Sequence, residues 1–231
     1  MKGAEFDSRR WFPSGSEGVT LVRQMARLAR PTTFSRNAGA GLDEWEESAM
    51  TFVLGIDPGL SGAVTVMTGS GELVEVFDLP VMQTGGKQSF VKNTINASAL
   101  FTKLQTVRSG GSGVVAYLES VASMPGQGVS SMFSMGHTLG SIASVLACLQ
   151  IPYVMVHPQE WKKHYGLKNP VVMVKNKKTG ELKAKKKKDP GQSRALAIQR
   201  FPEASQWLER VKDHNRAESL LIAHYGAQRS H

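Results

Sequence analysis

The sequence predicts an α/β protein in which helices pack on a mixed β-sheet. From residue 50 onward, short apolar segments rich in β-formers alternate with segments of helical periodicity, in the order three strands, helix, strand, helix, strand, helices. This alternation is typical of layered α/β folds. The chain has 231 residues, of which 41% are hydrophobic and 20% charged, and this balance allows a globular domain with a sizeable core.

Residues 1–49 differ in composition from the rest of the chain. They carry seven basic and seven acidic residues, so the formal charge of +9 lies entirely in residues 50–231. Breaks at Gly, Ser and Pro interrupt them, and no apolar secretory segment is present. We therefore expect residues 1–49 to form a flexible N-terminal leader that is dispensable for chemistry, and residues 50–231 to form the functional domain.

The composition also limits the compartment and the class of partner. Cys148 is the only cysteine, which excludes an intramolecular disulfide and a cysteine-based zinc site. No apolar run approaches 18 residues, so no membrane partner is expected. The predicted location is a reducing intracellular compartment, either cytoplasmic, nucleoid-associated or phage-encoded, with chloroplast or mitochondrion as the alternative. The excess of positive charge predicts an anionic partner.

The first three strands are expected at FVLGI (52–56), GAVTVM (62–67) and ELVEVFDL (72–79). The turn sequences PGLS and TGSG separate them, which predicts a three-stranded meander. A helix is expected at 96–107, where the apolar residues have helical spacing. VVAYLES (114–120) is apolar on both faces, which is typical of a buried strand.

A long helix is expected over 129–150. Gly136 and Gly140 lie one turn apart on it, which favours close packing against a neighbouring element; the alternative is an interface between two copies of the chain. Met132 and Phe133 are expected in the core.

The remaining pattern predicts a strand at 151–156, a short helix containing EWKKHYG, an exposed hairpin at 171–188 around a TG turn, and helices at 191–202 and 214–226. Asp213 precedes the last helix, and Gly226 is expected to be its C-cap. Trp161, in the short helix, is expected to pack in the core.

Three acids distant in sequence stand where an unpaired carboxylate would be costly. Asp57 and Glu119 end apolar strands, and Glu218 lies in an otherwise apolar helical face. Convergent carboxylates without a cysteine cluster suit Mg²⁺, with Mn²⁺ as a substitute, better than zinc. Two such ions about 4 Å apart can activate water and stabilise the leaving oxygen in phosphodiester hydrolysis.

The start of the last helix leaves alternatives open. His214 and Glu218 are four residues apart and share one face, whereas Asp213 reaches a common site only from the N-cap position. Plain capping is the alternative role for Asp213. A turn position is the alternative for Asp57, and a solvated surface position is the alternative for Glu218.

Three segments in a fixed order resemble the RuvC-type Holliday junction resolvases of the RNase H-like superfamily, particularly their bacteriophage and organellar branch. These segments are GIDPGLSGAV (55–64), AYLES (116–120) and KDHNRAESLLIAHYG (212–226). The resemblance covers residues 50–229. It implies an RNase H-like fold, with a mixed five-stranded sheet flanked by helices and a basic hairpin insertion.

The resemblance also implies the site. The first and fourth strands would present Asp57 and Glu119 side by side, the last helix would close the site, and two Mg²⁺ ions would bind there. By motif position the metal-binding acids are Asp57, Glu119, Asp213 and Glu218. Relatives commonly have Asp in place of Glu218 and Gly in place of Asn215, and His214 would substitute for Asp213 or assist it.

A basic region follows the motif block. Eleven lysines lie between Lys162 and Lys188, and phosphate neutralisation by such residues gives affinity without sequence selectivity. The hairpin is therefore expected to clamp a DNA backbone. The resemblance implies that the loop 123–133 inserts at the crossover. The residues expected to bind DNA are Lys162, Lys163, Gln127, Ser130, Ser131, Lys185, Lys186, Lys187 and Lys188.

The predicted protein is a metal-dependent Holliday junction resolvase that makes symmetric paired nicks in four-way DNA junctions. Because the junction is two-fold symmetric, a homodimer is expected. The alternatives are another RNase H-like nuclease acting on an RNA–DNA hybrid or on branched DNA, and a catalytically silent nucleic-acid-binding module. An actin-like or sugar-kinase ATPase is disfavoured, because it needs a second lobe and a second phosphate loop. No nucleotide cofactor is expected.

Overall fold

A computed structural model describes residues 51–84, 93–122, 128–167, 171–175, 180–186 and 190–229. The predicted leader at 1–49 lies outside the described residues, as do Gln127, Lys187 and Lys188. Lys185 and Lys186 are described only as part of a strand. The roles predicted for these residues therefore stay predictions.

A mixed five-stranded sheet forms the centre of the fold. Its strands are β1 (Thr51–Asp57), β2 (Ala63–Thr68), β3 (Leu73–Asp78), β6 (Gly113–Glu119) and β7 (Tyr153–Val156). They lie in the order β3-β2-β1-β6-β7. Strand β2 is antiparallel to both of its neighbours, β1 and β3, whereas β6 is parallel to β1 and β7 is parallel to β6. This order and these directions are those of the RNase H-like fold, so the predicted fold class is confirmed.

The predicted meander and the two later strands of the sheet are confirmed. A second, two-stranded sheet was not predicted, and it consists of β4 (Val81–Gln83) and β5 (Asn93–Ile95). Each of its strands has three residues, which is too short for an alternating pattern to be read.

The described residues form five α-helices. These are α1 (Ala97–Ser109), α2 (Val129–Cys148), α3 (Pro158–His164), α4 (Pro190–Arg200) and α5 (His214–Ala227). Short 3₁₀ turns lie at Pro202–Trp207 and Val211–Asp213. Local chemistry sets some helix starts: the Asn96 side chain accepts a 3.1 Å hydrogen bond from the Ala99 amide at α1. No helix in these ranges is long and apolar enough to cross a membrane.

Helices cover both faces of the sheet. On one face Ile56 packs with Leu104 of α1 and Ile142 of α2. On the other face Val53 packs with Leu221 of α5, in a core that also includes residues of α3 and α4. Because successive side chains of β1 point to opposite faces of the sheet, they pack into two separate cores.

Helix α5 lies unusually close to the sheet because two positions lack a side chain. A Cβ on Gly55 would overlap the backbone of Ser219 and Ala223, and a Cβ on Gly226 would overlap the ring of Tyr117. Gly226 lies inside α5, whose C-cap is Gln228. The prediction that Gly226 is the C-cap is therefore wrong, because its small size serves helix–sheet contact instead.

The first half of α2 exposes a side that was expected to be covered. Phe133 is 62% exposed, and a Cβ built on Gly136 or Gly140 would have no atom within 4 Å among the described residues. The core position predicted for Phe133 is therefore wrong, and within the described ranges no element packs closely against either glycine. Phe133 lies nine residues before the buried Ile142, about 180° around the helix, and so faces away from the core. Met132 is half-buried.

The predicted exposed hairpin is confirmed. Strands β8 (Val171–Lys175) and β9 (Leu182–Lys186) pair antiparallel and form a sheet of their own. Met173 and Leu182 are 61% and 62% exposed, so the described part of the hairpin projects into solvent.

Candidate active site

Asp57 and Glu119 lie at neighbouring positions on the sheet. Ile56 pairs with Leu118 in the parallel β1–β6 ladder, and Asp57 and Glu119 are the next residues of each strand. Side chains at matching positions of parallel strands point to the same face. Gly55, two residues before Asp57, faces α5. Both acids therefore end their strands on the side of the sheet that α5 covers.

Glu119 is buried and has a specific partner in α3. Its side chain is 8% exposed, and its Oε1 accepts a 2.9 Å hydrogen bond from Nε1 of Trp161, which has no exposed surface. The predicted packing role of Trp161 is confirmed. The hydrogen bond was not predicted, although a buried indole N–H requires an acceptor and thereby gives a signal for it.

Glu218 receives one donor on each carboxylate oxygen. Nζ of Lys162 lies 3.1 Å from Oε2, and Oγ of Ser193 donates a 3.0 Å hydrogen bond to Oε1. Ser193, on α4, is buried and was not predicted as a site residue. From the sequence alone, a serine in the first turn of a helix that contacts a distant side chain cannot be told from one that caps the helix.

Asp213 pairs with Arg210. Its Oδ1 accepts a 2.7 Å hydrogen bond from Nη2 of Arg210, and its Oδ2 accepts a 2.8 Å bond from the Arg210 backbone amide. The guanidinium beside it holds the pKa of this buried carboxyl below its usual range. Asp213 stands at the N-cap position of α5 but makes no side-chain capping bond to that helix. Both oxygens of Asp213 thus face a cationic partner.

His214 and Asn215 begin α5. His214 is half-buried, and it lies one turn before Glu218 on the same side of the helix. Nδ2 of Asn215 donates hydrogen bonds to the backbone oxygen of Ser61 at 2.6 Å and to its Oγ at 3.0 Å. The asparagine thereby ties the start of α5 to the turn that follows Asp57.

The far end of α3 is anchored to α5. The Tyr165 hydroxyl lies 2.7 Å from Nδ1 of His224 and 3.1 Å from the carbonyl oxygen of Leu221. Burial raises the pKa of Tyr165 and lowers the pKa of His224, so both groups are neutral near pH 7. This anchor holds the helix that delivers Trp161 and Lys162 to the acids.

The chemistry of the donor set fits a hard divalent cation. Carboxylate oxygens such as those of Asp57, Glu119 and Glu218 are the ligands that Mg²⁺ and Mn²⁺ prefer, whereas the imidazole of His214 is a nitrogen donor that suits softer metals better. Within the ranges that the structure describes, no three His, Cys, Asp or Glu residues are grouped so that they could hold a metal ion. Glu218 instead faces the ammonium of Lys162. A cation at Oε2 of Glu218 would compete with the Lys162 ammonium for this oxygen.

The predicted DNA-binding residues lie on more than one element. Ser130 and Ser131 are exposed in the first turn of α2, and Lys163 is exposed on α3. Lys162 contacts a predicted site acid, Glu218.

A comparison with protein-family models finds no match, and a comparison with curated proteins finds none either. Among solved structures, Thermus thermophilus RuvC in complex with a Holliday junction substrate is similar, with a TM-score of 0.42 and 14% identity over 75% of this chain and 90% of that chain. Another T. thermophilus RuvC structure gives a TM-score of 0.42 and 14% identity over 77% and 96% of the two chains.

Proposed function

We propose that this chain is a RuvC-type nuclease of the bacteriophage and organellar branch, which resolves four-way DNA junctions by symmetric paired nicks. The observation that carries the proposal is the placement of Asp57 and Glu119. They end adjacent parallel strands on the face covered by α5, and α5 also carries His214 and Glu218. Three carboxylates of the kind that hard cations prefer thus belong to two adjacent strand ends and to the helix that covers them.

Asp57, Glu119 and Glu218 would hold the divalent ions, with Mg²⁺ as the natural choice. Bound ions of this kind supply Lewis acidity for phosphodiester hydrolysis. The fourth ligand would be Asp213, whose two oxygens Arg210 engages, or His214, which lies one turn before Glu218 on the same side of α5. Trp161 fixes the orientation of Glu119, and the buried position of this carboxylate strengthens its electrostatic interactions.

Basic residues beside the acids would bind the DNA backbone. Lys162, which contacts Glu218, and Lys163 both lie on α3, and the exposed hairpin carries Lys185 and Lys186 on β9. Such contacts position the substrate without reading its bases. Paired nicks on opposite strands require two active sites, so the acting species is a homodimer.

The test compares three substrates of equal length and end label, a four-way junction, a linear duplex and an RNA–DNA hybrid, each incubated with the full chain and Mg²⁺. We expect paired nicks at symmetric positions on the junction only, with 5′-phosphate and 3′-hydroxyl ends that a ligase can rejoin. Cutting of the hybrid would assign the chain to a different RNase H-like nuclease. Binding of the junction without cutting in any divalent metal would assign it to the silent binding modules.

A further inference from the structure

The two helices that flank the basic hairpin both contact the carboxylate of Glu218. In the chain, α3 ends at His164 before the hairpin begins, and α4 starts at Pro190 after it ends. From α3, Lys162 places its Nζ 3.1 Å from Oε2 of Glu218. From α4, Ser193 donates a 3.0 Å hydrogen bond to Oε1. The carboxylate of Glu218 thus links both flanking helices, α3 and α4, to the candidate site.

The two contacts differ in kind. The side chains of Lys162 and Glu218 are 31% and 16% exposed, so each charge is partly removed from water and compensates the other. Ser193 is 4% exposed, and its neutral hydroxyl fixes the direction of the carboxylate without neutralising it. A divalent cation could replace the ammonium at Oε2 and leave the serine bond at Oε1 in place.

We propose that the Lys162 ammonium and the divalent cation compete for Glu218, and that Ser193 is the positioning residue that holds the carboxylate for either partner. This inference rests on the proposed function, because it concerns the same site. DNA phosphates attract Lys162 away from Glu218 and thereby favour cation binding. By thermodynamic linkage, the cation in turn favours binding of DNA by Lys162.

The competition predicts opposite effects for two substitutions, measured as Mn²⁺ affinity of the full chain without DNA by electron paramagnetic resonance titration. Lys162→Met removes the competing cation, so the dissociation constant for Mn²⁺ should fall by roughly 1.5-fold to fivefold, the range of a partly exposed ion pair. Ser193→Ala frees the carboxylate to rotate, so the dissociation constant should rise, and Ser193→Thr, which keeps the hydroxyl, should restore it.

Lys212→Met is the matched control for the removal of a positive charge. Lys212 is exposed in the 3₁₀ turn directly before α5, so its replacement tests general electrostatic attraction rather than competition at Glu218. It should change the Mn²⁺ dissociation constant much less than Lys162→Met does. Circular dichroism melting of each variant verifies that the fold is retained, and the isosteric Ser193→Cys replaces Ser193→Ala if the alanine variant unfolds.

Unchanged or weaker Mn²⁺ binding in Lys162→Met would overturn the inference, as would equal effects of Lys162→Met and Lys212→Met. Absence of Mn²⁺ binding by the unaltered chain would also overturn it. Failure of the proposed function looks different, because the unaltered chain would then bind Mn²⁺ with the predicted order of variants and still leave four-way junctions uncut.

Discussion

Nε1 of Trp161 donates a 2.9 Å hydrogen bond to Oε1 of Glu119, so a residue of α3 fixes the carboxylate that ends β6. Both side chains are buried, at 0% and 8% exposure. Because α3 also supplies Lys162 to Glu218, one seven-residue helix touches two of the candidate site acids.

Replacing Trp161 with Phe keeps an aromatic ring and removes the N–H donor. Oε1 of the buried Glu119 carboxylate then loses the hydrogen bond from the indole N–H. We therefore expect the free energy of unfolding to fall by about 1–3 kcal/mol. Urea denaturation followed by circular dichroism measures this change. Trp207→Phe, at a half-buried tryptophan in the 3₁₀ turn after α4, controls for the removal of an indole. Equal stability of Trp161→Phe and the unaltered chain would contradict a contribution from the hydrogen bond.

Asp57→Asn and Glu119→Gln preserve side-chain shape and remove the negative charge. We expect each to lower the rate of junction cleavage by more than about 100-fold, because bound metal ions contribute several kcal/mol to such reactions. Junction affinity, measured by fluorescence anisotropy, should change little, since the lysines carry it. Glu203→Gln, at an exposed acid, should cleave normally. Cleavage at the unaltered rate in either strand-end variant would refute the assignment of these acids.

Lysines of the exposed hairpin are expected to contribute to the salt dependence of DNA binding. Replacing residues 185–188 together by Ser should reduce the slope of log affinity against log salt by about 0.9 for each phosphate that the lysines no longer neutralise. Arg108→Ser is the control, because Arg108 is exposed on α1, on the face of the sheet opposite α5. An identical slope in the hairpin variant would mean that these lysines do not bind DNA.

Gly55 sets the distance between the sheet and α5. In Gly55→Ala the new methyl group would overlap the backbone of Ser219 and Ala223, which no side-chain rotation can relieve. We expect the free energy of unfolding to fall by about 3 kcal/mol or more, at the upper end of overpacking effects. Gly136→Ala is the matched control, since its Cβ meets open space in a helix, and it should stabilise by about 0.5–1 kcal/mol. Wild-type stability in Gly55→Ala would show that α5 does not approach β1 this closely.

Local signals in the sequence sufficed for the main strands and helices. The run FVLGI before Asp57 and the run ending at Glu119 are buried strands because both of their faces are covered, and this burial is visible as unbroken apolar sequence. Parallel pairing of these two strands then places their terminal acids together. The fold class and the placement of this pair could therefore be predicted from the sequence.

Other features depend on which residues meet across the fold, and the sequence does not encode these meetings locally. Asp213 pairs with Arg210, but in the sequence an aspartate directly before a helix looks the same whether it caps that helix or pairs with an arginine. Ser193 reaches Glu218 only because α4 packs on α5. The core prediction for Phe133 is wrong because an apolar side chain alone does not identify the covered side of α2.

The proposed function requires Asp57, Glu119 and Glu218 to share a divalent-cation site. Crystals of the full chain soaked in Mn²⁺ and measured at the manganese absorption edge test this claim most directly. We expect an anomalous peak bonded to carboxylate oxygens of Asp57 and Glu119, with Glu218 released from Lys162 and turned toward the ion. Carboxylates that remain apart, with Lys162 still on Glu218 and no anomalous peak between them at saturating Mn²⁺, would contradict the account.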